Sequence, residues 1–230
     1  MTQGNLGTVL VTGGSSGLGE AVIAAVAEEG GRPVNLDRVK SGADVEQEIV
    51  DLSDPRAAEE AVRAVSQRVG GLDAVVTCAG TDACGKLEDV PADDWDRVIL
   101  VNLIGTAAVV RAALPDLLER HGHVVTVAST LGFRALSDAT AYSASKFGVV
   151  GFTRALAAET QGRIGTTMLV PGGMHTHFFD GRSEQYMPPP DAKLNQPDNV
   201  AQAVVFALRQ PEGCEVRELV VTPSIEGSWP

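Results

Sequence analysis

The sequence predicts an α/β fold, a doubly wound parallel sheet of the Rossmann type flanked by helices on both faces. Three observations predict it. Short β-branched runs alternate along the chain with Ala-rich helical patterns, the order expected of βαβ units. The runs are apolar on both faces, as strands buried in a parallel sheet require. A glycine-rich turn, "VTGGSSGLGE", separates the first run from the first helical pattern.

Each element has its own signal. "TVLVTG" (8–13) reads as the first strand, and "GLGEAVIAAVAEEG" (17–30) as a helix closed by glycine. "PVNLD" (33–37) is the second strand. "PRAAEEAVRAVSQRVG" (55–70) has proline in its first turn and glycine at its end, the usual asymmetry of a helix. "DAVVTCAG" (73–80) is a strand, and 92–120 is one long helix. "GHVVTVAS" (122–129) is a strand, 139–160 a helix, and "GTTMLVPGG" (165–173) a strand. After a polar loop, 197–210 is helical and "VRELVVTP" (216–223) is the last strand. No repeat or low-complexity linker interrupts the pattern. One domain over 1–230 is expected, with an irregular substrate loop at about 174–197; a loop that long in a compact domain is a lid or a disordered segment.

Composition narrows the function. The 230 residues carry a net charge of −12, with 44% hydrophobic residues and 21% charged. Such an acidic chain repels nucleic acid and anionic membranes, so neither is an expected partner. Three scattered cysteines, Cys78, Cys84 and Cys214, form no zinc or disulfide pattern, which fits the reducing cytoplasm. Polar residues are read as interrupting every hydrophobic stretch before membrane-spanning length, and no basic-then-apolar leader opens the chain. A soluble cytoplasmic protein is expected.

Gly13, Gly17 and Gly19 in the turn follow a TGxxxGxG spacing. Glycine lets a backbone turn sharply and approach a pyrophosphate, while the helix start offers N–H groups to phosphate. Asp37 ends the second strand, 18 residues after Gly19. A carboxylate there accepts both adenosine ribose hydroxyls and repels a 2′-phosphate, which favours NAD. Adjacent Arg38 keeps NADP open, although Ser15-Ser16 in the loop offer no basic residue.

"AYSASKFG" (141–148) places Tyr142 four residues before Lys146, on one helix face. An ammonium beside a phenol stabilises the phenolate. A phenol pKa near 10 must fall by about 2–3 units, roughly 3–4 kcal/mol, to serve near neutrality. Ser143 and Ser145 are small enough for a cofactor to lie close.

With these motifs in order, the sequence resembles the short-chain dehydrogenase/reductase family over nearly its whole length. "TGGSSGLG" is similar to the family's cofactor loop, which spans Ser15, Ser16 and Leu18 as well as the glycines. Asp51-Leu52 sits where the family contacts adenine. "CAG", Cys78-Ala79-Gly80, stands where the family has Asn-Ala-Gly. Asn102 in "LVNLIGT" is similar to the family's helix asparagine. Ser129 lies 13 residues before Tyr142, the family spacing, which selects it over Thr130. "PGGMHT", Pro171-Gly172-Gly173-Met174-His175-Thr176, is similar to the loop that holds the nicotinamide. The resemblance implies Tyr142 as general acid/base and Ser129 as the group that polarises the substrate oxygen. It implies that Lys146 lowers the tyrosine pKa and binds the nicotinamide ribose, and that Asn102 holds a relay water. It further implies a homotetramer, with a homodimer next; apolar positions on several faces of the helices around Asn102 and Tyr142 agree.

Cys78 departs from the family's asparagine and reads as a small buried apolar residue. His121/His123 and His175/His177 form two HxH pairs without acidic or cysteine partners, so no metal site is assigned. His177, Phe178, Phe179, Tyr186 and Met187 are candidates for the substrate entrance, and Phe133 and Leu136 for its wall. "MPPP" (187–190) stiffens the loop. The expected function is an NAD(P)-dependent oxidoreductase interconverting a secondary alcohol and a ketone, with a small-molecule substrate. Alternatives are a 3-oxoacyl-carrier-protein reductase, with Arg120 and Arg163 as docking cations, and a non-catalytic dinucleotide sensor on the same fold.

Overall fold

In the computed structural model, which describes residues 6–229, seven strands form one fully parallel sheet in the order β3-β2-β1-β4-β5-β6-β7. The strands are β1 (Thr8–Thr12), β2 (Arg32–Asp37), β3 (Glu46–Ile49), β4 (Ala74–Thr77), β5 (His123–Val127), β6 (Gly165–Pro171) and β7 (Glu218–Val221). The helices are α1 (Gly17–Glu28), α2 (Pro55–Val69), α3 (Ala92–Ile99), α4 (Thr106–Arg120), α5 (Thr140–Glu159) and α6 (Pro197–Leu208). Residues 1–5 and 230 of the expected domain lie outside the described residues.

The central strands are buried because apolar residues serve both faces. Val9, Val11, Val76, Val125 and Leu169 pack under α1 and α6. Their neighbours Leu10, Val75 and Val124 point the other way, toward α2 and α4. The two-residue period of a strand thus feeds two cores from one run. Helix α2 starts where the Asp54 carboxylate accepts the Arg56 and Ala57 N–H groups, each at 3.0 Å, just before Pro55.

The chain builds outward from β1 to β3, then crosses back to β4 on the other side of β1. Adjacent loops leave β1 and β4 in opposite directions there, opening a crevice at their carboxyl ends. The site lies in that crevice.

Three expectations need correction. Strand β3 is absent from the sequence reading. It is an edge strand of three polar residues and one exposed isoleucine, so it lacks the apolar pattern; Glu46 pairs with Arg32 (2.5 Å) and Arg68 (2.7 Å) instead. The long helix over 92–120 is continuous but changes pitch. Its middle turn, Leu100–Gly105, is a π-helix carrying Asn102, a device common at functional sites. That same stretch is also apolar enough, and at 29 residues long enough, to cross a membrane, contrary to the expectation of interrupted stretches. Its apolar residues Val109, Ala113 and Leu117 serve the core over the sheet.

Candidate active site

The crevice is a cleft of about 1620 Å³ running from the end of β2 to the loop after β6. All the cofactor and catalytic residues expected from the sequence line it except two, Ser15 and Asn102.

Its floor is the glycine loop. Gly13 has φ +71°, and a Cβ there would lie 2.8 Å from the Ala79 Cα, so β1 and the loop after β4 approach as closely as glycine allows. A Cβ on Gly19 would run into the Gly13 carbonyl. Ser16 caps α1 in extended conformation without a side-chain cap bond, so the first-turn N–H groups of α1 remain available to an anion. These features fit a dinucleotide pyrophosphate. Ser15 stands behind the loop: its hydroxyl donates to the Val39 carbonyl (2.8 Å) and accepts from Asn35 (3.0 Å). The Ser15 amide instead orients Asp37, donating to its carboxylate at 3.0 Å. The Val39 amide binds the other Asp37 oxygen at 3.2 Å. Arg38 lines the same end of the cleft.

Asp51 pairs with Arg97 at 2.7 Å and accepts the Ser53 amide at 2.9 Å. Burial pushes its carboxyl up, but these partners outweigh it and bring the pKa down to about 2. Neighbouring Leu52 is buried and lines the cleft.

At the far end, Ser129 ends the β5 loop and Tyr142 and Lys146 come from one face of α5. The Ser129 hydroxyl accepts the Leu131 amide at 3.2 Å and acts on the Tyr142 phenol in the direction that favours its ionised form. Thr130 also lines the cleft, where its hydroxyl is engaged with Ser228 at 2.7 Å. Lys146 is buried; its ammonium donates to the Val127 carbonyl at 2.9 Å and lies 5.5 Å from the Tyr142 ring centre. The net effect of the chain's own groups is to raise the phenol pKa. Burial raises Tyr142 to about 12, against the lowering effect of the Ser129 hydrogen bond. Burial also lowers Lys146 to about 8, because a desolvated ammonium loses its charge more readily. Part of Tyr142 remains open to the cleft, where solvent offsets some of this burial.

The Asn102 side chain makes three hydrogen bonds to protein partners. Its Oδ1 accepts the Thr81 amide (2.8 Å), and its Nδ2 donates to the Thr81 carbonyl (2.9 Å) and to Ser145 (3.0 Å). It therefore pins the loop after β4 to α5, behind the cleft. Ser145 and Ser143 are likewise buried rather than cleft-facing, which corrects their reading as room for a cofactor. Cys78 does line the cleft, and burial raises its thiol to about 12, so it behaves as a neutral side chain.

His121 caps α4 in a left-handed turn and His123 is buried on β5 against Thr167 (2.8 Å), so this pair shares no strand face. Thr176 caps a short turn, His177–Phe179, that opens the substrate loop. Phe178 comes within 5.6 Å of the Tyr142 ring, centre to centre. Two parts of the site escaped the sequence. Asp82 and Arg182 form an ion pair across 100 residues of chain, with no local pattern to announce it. The tail also closes the site: Glu226 accepts the Gly173 amide (3.4 Å), and Trp229 stacks edge-on against Phe133 at 5.4 Å.

Comparison with known proteins agrees with this geometry. The family model described as short chain dehydrogenase matches residues 7–187. An uncharacterised oxidoreductase of Staphylococcus aureus strain MW2 is 34% identical over 226 residues, covering 93% of this chain and 96% of that protein. Glycine betaine reductase of Emericella nidulans is 32% identical over 94% of this chain, which spans only 19% of that protein. Among solved structures, an alcohol dehydrogenase from the archaeon Thermococcus sibiricus, complexed with 5-hydroxy-NADP, superposes with a TM-score of 0.84. It is 26% identical and the match covers 93% of this chain and 95% of that one.

Proposed function

This chain belongs to the short chain dehydrogenase family, oxidoreductases that work with a nicotinamide dinucleotide, and from that premise we propose that it interconverts a secondary alcohol and a ketone. The observation that carries the proposal is the cluster at the deep end of the cleft, where the Ser129 hydroxyl meets the Tyr142 phenol beside buried Lys146. When bound, the nicotinamide supplies the hydride acceptor or donor. The glycine loop and the α1 N-terminus would hold the dinucleotide's pyrophosphate, Asp51 and Leu52 its adenine end, and the 171–176 loop its nicotinamide end.

In the alcohol-oxidising direction, ionised Tyr142 takes the hydroxyl proton as the C–H bond breaks. In the reducing direction, the neutral phenol returns that proton to the carbonyl oxygen. Ser129 donates a hydrogen bond to the same oxygen and fixes it against the phenol. Lys146 contributes positive charge that favours the phenolate, and its anchor on Val127 keeps it in register. Asn102 acts by position, holding Thr81 and Ser145 on either side of this cluster.

NAD is the favoured dinucleotide. Two backbone N–H groups orient the Asp37 carboxylate at the ribose end, where its charge would oppose a 2′-phosphate. Of the two cations expected to dock a carrier protein, Arg120 is tied to Asp73 (3.4 Å) and to the Gly70 carbonyl and Arg163 donates to the Glu159 carbonyl (2.7 Å), so neither adds support to that reading. The three unpaired cysteines support a cytoplasmic location. Phe147 and Ile104 are exposed on α5 and on the π-helical turn, and Phe206 on α6 and Val220 in β7, which supports a tetramer built on these surfaces. Light scattering that returned a monomer at micromolar concentration would remove the assembly.

Single-turnover hydride transfer with saturating dinucleotide tests the chemistry. Tyr142→Phe deletes the proton carrier and keeps the ring, so the rate should fall by about 10²–10⁴. A rate within a few-fold of the parent protein would take Tyr142 out of the mechanism.

A further inference from the structure

The cleft wall near Tyr142 contains a charged pair that the proposed reaction does not use. Arg182 enters from the substrate loop and Asp82 from the loop after β4, and they meet at 2.8 Å. Both are mostly buried, with side chains 16% and 8% exposed. The Arg182 guanidinium also lies 5.0 Å from the Phe178 ring centre and 4.7 Å from that of Phe179. Phe178 in turn sits 5.6 Å from Tyr142. One aromatic ring therefore separates the guanidinium from the reacting phenol.

A buried, stacked arginine in a substrate cleft is a ready receptor for a carboxylate, because its planar fork matches two carboxylate oxygens. Here that role is already filled from within the chain. Asp82 is itself held in place: its Oδ1 accepts the Ala83 amide (2.7 Å) and its Oδ2 the Cys84 thiol (3.2 Å) besides Arg182. A carboxylate fixed in this way is present at a far higher effective concentration than any substrate. Asp138, which lines the same region, adds a second negative charge. A substrate anion would meet net negative charge and a guanidinium already paired.

We propose that Asp82 is a specificity-determining residue, occupying Arg182 so that the site takes uncharged carbonyl and alcohol substrates and rejects those bearing a carboxylate. This deepens the proposed function and rests on it for turnover, though not for binding. Selectivity here comes from the penalty imposed on the wrong substrate. Separating the pair would oblige an incoming anion to leave Asp82 buried without its partner.

The test uses a matched pair of probes, methyl 3-oxobutanoate and 3-oxobutanoate. Their binding is followed by fluorescence of the protein–NADH complex and their reduction by loss of NADH absorbance. The parent protein should prefer the ester in both readouts. Asp82→Asn should shift the acid-to-ester ratio toward the acid by about ten-fold or more, the scale of one charge-assisted hydrogen bond. The gain should lie chiefly in Kd and KM, and adding Arg182→Met should abolish it. Asp82→Ser, accepted when it binds NADH as the parent does, serves should the asparagine variant fail to fold. A ratio unchanged within two-fold, a parent that already prefers the acid, or acid binding undetectable in both variants overturns the proposal. If the probes bind with the expected ratios and neither is reduced, the selectivity of Asp82 stands and the alcohol–ketone reading fails instead.

Discussion

The ionisation of Tyr142 offers a quantitative check on how the site works. Burial raises the phenol from 10 to about 12, even with the Ser129 hydrogen bond opposing it. At 1.4 kcal/mol per tenfold, that elevation disfavours the phenolate by about 3 kcal/mol in the protein alone. Working near neutrality needs a pKa of about 8, a further swing on the order of 5 kcal/mol. The positive charge of an oxidised nicotinamide and of Lys146 must deliver that swing, so the activated tyrosine should exist only in the binary complex. Lys146, lowered to about 8 by the same burial, gains anionic company when the phenol ionises, and the two then titrate as a unit. The assay is tyrosinate absorbance against pH, taken as the parent protein minus Tyr142→Phe, with and without saturating NAD. The only other tyrosine, Tyr186, is also raised, so it adds little background below pH 10. The protein alone should show no Tyr142 ionisation up to pH 10, and the NAD complex should show it near pH 8. The sign carries over to stability. A raised phenol pKa contributes stability that is present below pH 10 and lost as pH rises toward 12. Ionisation of Tyr142 below pH 9 in the protein alone would refute the reasoning, since burial would then not control the phenol.

Asp37→Ala should weaken NAD and relieve the penalty on NADP, so the ratio of their Kd values should move by about ten-fold, one charge-assisted hydrogen bond; a parent protein that already binds NADP ten-fold more tightly would show that Arg38 governs the choice. Gly19→Ala drives a Cβ into the Gly13 carbonyl, and backbone cannot rotate aside, so urea unfolding should show a loss of about 1–3 kcal/mol together with weakened dinucleotide binding. Stability within 0.5 kcal/mol of the parent would mean that the loop can shift, a value set by the usual scatter of surface substitutions at about ±0.5 kcal/mol.

The sequence by itself determined the sheet, its parallel sense and the chemical groups of the site. Apolar runs such as "AVVT" and "HVVTV" admit only buried parallel strands when helices separate them, and strands β4 and β5 form where those runs lie. The four-residue spacing of Tyr142 and Lys146 put both on one face of α5, because helical period is a local property. Glycine positions were legible for the same reason: backbone conformation at Gly13 is set within a turn. Only the tertiary structure decided which of these groups reach the cleft. Ser15 and Asn102 carry the right chemistry at the right spacing, yet each faces inward, where Asn35, Thr81 and Ser145 satisfy it. Strand β3 exists because Arg32 and Arg68 neutralise Glu46 across the sheet edge, a pairing no local window contains. Burial likewise comes from the whole fold, so the sequence placed a phenol beside an ammonium while packing alone drove one pKa up and the other down. The Asp82–Arg182 pair shows the limit most plainly, since a charge's partner is chosen by distance in space, and 100 residues of chain separate these two.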